Sequence, residues 1–390
     1  MKSGSPTKRL AEVLEVQNGY AFDSKAFNAL KGMPLIRIRD LKIATETETR
    51  FAGDYDKKYV VKAGDLLVGM DGEFACYEWK GSPALLNQRV CRLQGFSSGL
   101  LPRFLFYGVN SYLKAIEDVT GYATVKHISS KQILGIEFPL PPLVEQQRIV
   151  GILDEAFDGI ATVKANAEKN LQNARALFDS HLQSVFSQRG VGWVEKKLGD
   201  VCGFVRGPFG GSLKKSIFVA DGYAVYEQQH AIYNQFNDVR YFIDETKFKE
   251  MTRFELFPND LIMSCSGTMG RVAIVPKDIK RGIINQALLK LTPTAKISCS
   301  FLKSWMESES FQDALKEYSG GAAIQNVASV KILKEISVPL PSIKEQERVV
   351  DKLYDFRAET QRLESLYQRK VEALDALKKS LLHQAFSGQL

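Results

Sequence analysis

Pro139-Leu140-Pro141-Pro142-Leu143-Val144-Glu145-Gln146-Gln147-Arg148-Ile149-Val150 is answered 200 positions later, without a gap, by Pro339-Leu340-Pro341-Ser342-Ile343-Lys344-Glu345-Gln346-Glu347-Arg348-Val349-Val350. The prolines forbid helix just upstream, and Glu145 or Glu345 sits where the dipole of a following helix favours negative charge. Each copy therefore opens a long helix, roughly 45 residues and about 65 to 70 Å if unbroken. In the second helix Val349, Leu353, Phe356, Thr360, Leu363, Tyr367, Lys370, Leu374, Leu377 and Leu381 step by alternating fours and threes, the seam of a coiled coil with Thr360 and Lys370 as flaws. The same register in the first gives Ile149, Leu153, Ala156, Ile160, Val163, Ala167, Asn170, Ala174, Leu177 and His181. The two helices are expected to pack on each other, with Asn170 and His181 either setting register or lying at the solvent edge.

Outward from these helices the chain repeats itself. Lys8-Arg9-Leu10-Ala11-Glu12-Val13 corresponds to Lys196-Lys197-Leu198-Gly199-Asp200-Val201, and each leads to a glycine at the same spacing, Gly19 and Gly207. Strands are predicted over Pro34–Asp40 and Tyr223–Gln229, alternating and so exposed on one face. Gly64-Asp65-Leu66-Leu67-Val68-Gly69-Met70-Asp71-Gly72 matches Asn259-Asp260-Leu261-Ile262-Met263-Ser264-Cys265-Ser266-Gly267, a turn, a buried strand and a glycine loop. Asn87-Gln88 and Asn285-Gln286 each precede another strand, and helices are expected over 102–117 and 299–317, followed by Gly121 and Gly320-Gly321. The whole is a tandem duplication of an α+β plan: globular domains at 1–142 and 189–342, helices at 143–188 and 343–390. Antiparallel pairing of the helices would give it pseudo-twofold symmetry.

Composition narrows the function classes. Forty-five per cent hydrophobic and 25% charged residues suit a globular protein, no apolar run is long enough to cross a membrane, and Met1–Pro6 lacks a signal-peptide core, which points to the cytoplasm. Five scattered cysteines without a Cys-x-x-Cys pair indicate reduced core thiols, not disulfides or zinc. The net charge of +7 is uneven: residues 1–142 carry 19 Lys and Arg against 15 Asp and Glu, and 189–342 carry 20 against 16, while the helices are nearly neutral. Two basic platforms suit a polyanion; a few surplus lysines for solubility would leave the same count.

Catalytic signatures fail one by one. Asp71 with Glu78-Trp79-Lys80 could in principle hold a metal for phosphodiester cleavage, but the second copy has Ser266 and no acid in Arg271–Val275. Gly210-Gly211-Ser212-Leu213-Lys214-Lys215-Ser216 is a basic glycine turn and not a phosphate-binding P-loop. Leu140 precedes Pro141-Pro142, so the Asn/Asp-Pro-Pro-Tyr/Phe motif of amino-group methyltransferases is missing, and the four histidines lie in different segments without a repeated nucleophile. No active site and no metal site is expected.

Reading of base edges is the better use of the polar residues. Features common to both halves, such as Asn87-Gln88 and Asn285-Gln286, are scaffold; polar residues that differ are candidate readers. These are Arg37, Arg39, Lys42, Tyr77, Lys80, Lys126 and His127 in the first half. In the second they are Arg206, Lys214, Lys215, Gln228, Gln229, His230, Asn234, Gln235 and Arg271. Leu153, Val163, Leu177, Leu353, Phe356, Leu363, Leu374 and Leu377 are the expected scaffold positions of the helices.

The two Pro-Leu-Pro-x-x-x-Glu-Gln-x-Arg helix starts, the two Asp-Leu-Leu/Ile strand-and-glycine loops and the two Asn-Gln strand starts together resemble the specificity subunits of type I restriction-modification systems, over nearly the whole chain. The resemblance implies a non-catalytic reader of double-stranded DNA, each globular unit a target recognition domain for half of a split, asymmetric site, with antiparallel helices fixing the spacer. It further implies two adenine methyltransferase subunits using S-adenosylmethionine docked on this core, and ATP-hydrolysing restriction subunits in a larger assembly, with no cofactor in this chain. One departure is Asp71, where an acid is expected to repel phosphate and weaken the loop's role on DNA. A coiled-coil scaffold for protein partners, without DNA specificity, is the alternative.

Overall fold

The computed structural model describes residues 6–120, 126–209, 211–317 and 329–390. Gly121, Gly210 and Gly320-Gly321 lie outside them. Contacts divide the chain into two compact units, Met1–Ala167 with Arg369–Leu390, and Glu168–Gln368. The long helices run Leu143–Gln188 and Ile343–Ser387, and each contributes a part to both units.

In the first unit an antiparallel sheet orders Glu15–Asn18, Val90–Gln94, Leu66–Gly69 and Cys76–Glu78. A second sheet orders Phe27–Asn28, Arg50–Phe51, Met33–Ile36, Ala84–Leu86 and Val60–Val61. The second unit repeats both: Cys202–Arg206, Leu288–Pro293, Leu261–Ser264 and Val272–Ile274, then Phe218–Val219, Phe242–Ile243, Tyr223–Tyr226 and Gly282–Ile284. Only the last strand of the larger sheet lacks a partner in the copy, where a single bridge, Glu255 with Ile283, stands in. A third pairing closes each domain onto the approach to its helix, Thr7–Arg9 with Glu137–Pro139 and Val194–Lys197 with Ser337–Leu340.

Four local expectations change. The strand expected over Pro34–Asp40 is Met33–Ile36, and a 3-10 turn follows because Asp40 accepts a hydrogen bond from the Arg37 amide at 2.8 Å. That expected over Tyr223–Gln229 ends at Tyr226, and Gln228–Tyr233 is helical. Leu35, Ile36, Ala224, Val225 and Tyr226 are all buried, without exposed alternation, because each strand pairs in parallel with an inner neighbour, Ala84–Leu86 or Gly282–Ile284. The helix Pro102–Val119 is continuous, whereas its counterpart breaks at Ser308 into Cys299–Glu307 and Glu309–Glu317. There the buried Ser308 hydroxyl donates to Trp305 O at 2.7 Å.

The repeated motif has a physical basis in the glutamine after the helix-opening acid. Gln146 is fully buried; its Oε1 accepts from the Leu101 amide at 2.8 Å and its Nε2 donates to Gly99 O and Pro141 O, both 2.8 Å. Gln346, equally buried, does the same with the Ser298 amide at 2.8 Å and with Lys296 O and Pro341 O, both 3.0 Å. A buried side chain that satisfies three backbone groups fixes the helix start against its domain. The neighbouring acid and arginine pair on the surface, Glu145 with Arg148 and Glu345 with Arg348, each at 2.7 Å.

The helices run antiparallel in each unit. In the first, Arg148 donates to Leu390 O at 2.8 Å, Lys378 lies 4.9 Å from the Phe157 ring, and Lys164 pairs with Asp375 at 2.6 Å. In the second, Arg175 meets Glu364 at 3.5 Å, Arg357 covers Phe178 at 4.2 Å, and His181 packs on Phe356 at 4.4 Å. Leu153, Ile160, Ala167 and Ala174 hold the seam, and so do Leu353 and Thr360, with Phe356, Leu363 and Leu374 half-buried. Val163, Leu177 and Leu377 do not: they are 38%, 45% and 47% exposed. The seam advances by four and then three residues where three and then four was expected, so Phe157, Lys164, Leu171 and Phe178 replace 156, 163, 170 and 177, and Asn170 is exposed. Thr360 is no flaw, since its hydroxyl bonds back to Phe356 O and Arg357 O at 3.1 and 3.0 Å.

Candidate nucleic-acid interface

Each domain carries a loop cluster at one end of its fully antiparallel sheet, and both clusters rest on the same close approach. A Cβ on Gly19 would lie 2.1 Å from Asn87 O, and one on Gly207 1.9 Å from Asn285 O, so only glycine admits the contact. Asn87 and Asn285 cap their own turns, accepting from the Gln88 amide at 2.7 Å and the Ala287 amide at 3.0 Å. The Asn-Gln pairs therefore begin with a scaffold residue, as expected.

In the first domain the loop after Leu66–Gly69 gathers residues distant in sequence. Asp71, its side chain only 14% exposed, binds the guanidinium of Arg89 and, at 2.6 Å, Nδ1 of His127. The Gly72 amide donates to Lys126 O at 2.9 Å, and Lys42 pairs with Glu73 at 2.7 Å, which holds its ammonium above the usual lysine range and charged. Asp71 is thus paired with two basic side chains drawn from distant parts of the sequence. Glu78 is engaged elsewhere, by Arg103 at 2.8 Å. Among the described residues no group of three or more His, Cys, Asp or Glu could hold a metal ion.

In the second domain the equivalent loop is held by serine and glutamine. Ser264 Oγ donates to Thr268 O at 2.6 Å and accepts from the Arg271 amide at 3.0 Å, while Gln228 Nε2 donates to Ser266 O at 2.5 Å. Asn234, Thr268 and the exposed Arg271 border a groove of about 630 Å³.

Other proposed readers separate into reachable and structural groups. The side chains of Arg37, Lys80, Lys214, Lys215 and Arg271 are exposed and have no ion-pair or hydrogen-bond partner among the described residues; Arg206, half-buried, has none either. Arg39 is exposed but bonds Thr49 at 3.3 Å, and Tyr77 packs against the core around Trp79. Lys126 Nζ is tied to Glu117 O at 2.7 Å. Three further residues proposed as readers bond to the chain's own backbone. His230 is fully buried, Nδ1 accepting from the Glu227 amide at 2.9 Å and Nε2 reaching Asp238 O at 3.0 Å. Gln229 donates to Asp238 O at 3.1 Å, and Gln235 Oε1 accepts from the Asn237 and Asp238 amides at 3.1 Å. Two exposed residues beside the first cluster were not singled out from the sequence: Arg89, its side chain 59% exposed, and Tyr20, 51% exposed. The signal for Arg89 was present: its counterpart in the second half is Ala287.

Comparison with known proteins bears on this twofold arrangement. The model of the type I restriction modification DNA specificity domain matches residues 2–172 and again residues 190–373. The chain belongs to that family. It is 30% identical over 404 residues to the EcoBI specificity subunit of Escherichia coli, covering 97% of this chain and 84% of that one. It is 23% identical over 362 residues to the MjaVIII specificity subunit of Methanocaldococcus jannaschii, covering 88% and 83%. In fold it is similar to a chain from a structure of type I R-M complex assembly and conformational transition, TM-score 0.74 at 19% identity over 99% and 98% of the two chains. The HsdS subunit from Thermoanaerobacter tengcongensis gives 0.62 at 17% identity over 100% and 98%. As a specificity subunit the chain is a non-catalytic component. No helix among the described residues is long and apolar enough to cross a membrane.

Proposed function

We propose that this specificity subunit recognises a split, asymmetric double-stranded DNA sequence in the cytoplasm, one half read by residues 1–142 and the other by residues 189–342. The helices 143–188 and 343–390 set the spacer and carry two adenine methyltransferase subunits, with ATP-dependent restriction subunits joining the larger assembly. S-adenosylmethionine and ATP act on those partners. One observation carries this reading: the two domains repeat a framework to the level of the Gly19–Asn87 and Gly207–Asn285 contacts but expose different polar side chains around it, as two readers of different sequences require. The apolar side chains that fall outside the seam, Val163, Leu177 and Leu377, together with Tyr354 and Leu366, supply surface for the docked subunits.

Adenine methylation mapped by sequencing cells with and without this chain, beside an active methyltransferase, tests the reading. A bipartite motif that disappears with the chain is expected. Methylation that is unchanged, or a complex that binds all duplexes alike at moderate salt, would overturn it.

A further inference from the structure

We infer that Arg89 reads a guanine in the half-site taken by the first domain, and that Asp71 is its positioning residue; this rests on the DNA-recognition reading above. The pair is lopsided. Asp71 is 14% exposed at its side chain and anchored within the loop, whereas the arginine it holds is 59% exposed. Only Nη1 of Arg89 is bonded to the carboxylate, which leaves the donors of Nη2 and Nε for another partner. The backbone under it is fixed, because the Met70 amide donates to Arg89 O at 3.0 Å and the Gln88 amide to Tyr20 O at 3.0 Å. Beside it lie the exposed Gln88 and the exposed Tyr20 ring, itself braced by Phe22 and Tyr59 at 5.1 and 5.2 Å.

A guanidinium held at one corner and open at the other matches the two acceptors, N7 and O6, that guanine presents in the major groove. The neighbouring carboxylate decides between the two kinds of DNA contact. It opposes an anionic phosphate approaching Arg89, and it opposes a neutral base edge far less. The second domain has Ser266 and Ala287 at the corresponding positions, so the device belongs to one domain only.

The test uses the complex of this chain with its methyltransferase and duplexes carrying the site mapped from methylation, each position substituted in turn, with binding read by fluorescence anisotropy. Arg89→Ala is expected to lose about 10- to 100-fold of discrimination at a single guanine of one half-site and to leave the other half-site unchanged. In the wild type, 7-deazaguanine at that position costs a comparable factor, and the variant shows no further loss with it. Asp71→Asn weakens discrimination at the same position and raises affinity for unrelated DNA with a steeper salt dependence, which a merely structural role would not produce. A uniform loss over all sequences with a salt slope shallower by about one identifies a phosphate contact and overturns the inference. So does unchanged discrimination in Arg89→Ala, an effect on both half-sites, or a half-site without guanine. If the wild-type complex discriminates no sequence at all, the parent reading falls and takes this one with it.

Discussion

The mounts of the two domains are nearly superposable in chemistry, and their loop clusters are not. Gln146 and Gln346 each satisfy the same three backbone positions within 0.2 Å of one another, 2.8, 2.8 and 2.8 Å against 2.8, 3.0 and 3.0 Å. The loops after Leu66–Gly69 and Leu261–Ser264 begin from the same turn yet are organised by an acid holding two bases in one and by serine and glutamine in the other. The contrast separates what positions a reader from what reads. Substitutions in the mount should therefore cost both units alike, and substitutions in the loops should be felt in one domain only.

The largest expected effects are at the mounts and seam. Gln146→Ala and Gln346→Ala each leave buried backbone groups unpaired and should destabilise their own unit by about 3 kcal/mol or more. Hydrogen exchange resolved by unit measures this, and clearly unequal losses would break the comparison. Leu153→Ala and Leu353→Ala, both buried, should cost about 3 kcal/mol each in chemical denaturation. Gly19→Ala and Gly207→Ala must push a Cβ into a carbonyl, at about 2 kcal/mol each, again in parallel. Burial pushes the thiols of Cys91 and Cys265 up to about 12, so both should resist alkylation at pH 8 in the native state and react together on unfolding. At the small end, Leu177→Ala and Leu377→Ala should move stability by less than about 0.5 kcal/mol, because neither side chain is in the seam. A large loss at either would restore the register first expected from sequence.

Much of this was legible in the chain itself. Proline punctuation, apolar periodicity and duplication are local signals, and they located the helices, the repeated strands and the scaffold role of Asn87 and Asn285. The seam was found to within one position in seven because both Leu177 and Phe178 offer an apolar side chain, and only packing against Arg357 selects Phe178. The readers were harder. Asp71 finds Arg89 and His127 at separations of 18 and 56 residues, and no local pattern announces such a meeting. His230 reads as an exposed polar residue until its bonds with the Glu227 amide and Asp238 O bury it. Polar residue type alone does not tell a contact made to DNA from one made to the chain's own backbone.

The glutamine mount has an evolutionary consequence. Everything it grips outside its own side chain is main chain: a carbonyl at Gly99 or Lys296, an amide at Leu101 or Ser298, a carbonyl at Pro141 or Pro341. Because main-chain groups are the same in every sequence, the identities at 99 and 101 can drift to Lys296 and Ser298 without loosening the grip. A domain that brings the right backbone to this socket fits it, whatever sequence it carries. The loops that would set specificity can therefore change without touching the groups by which the domain is fastened.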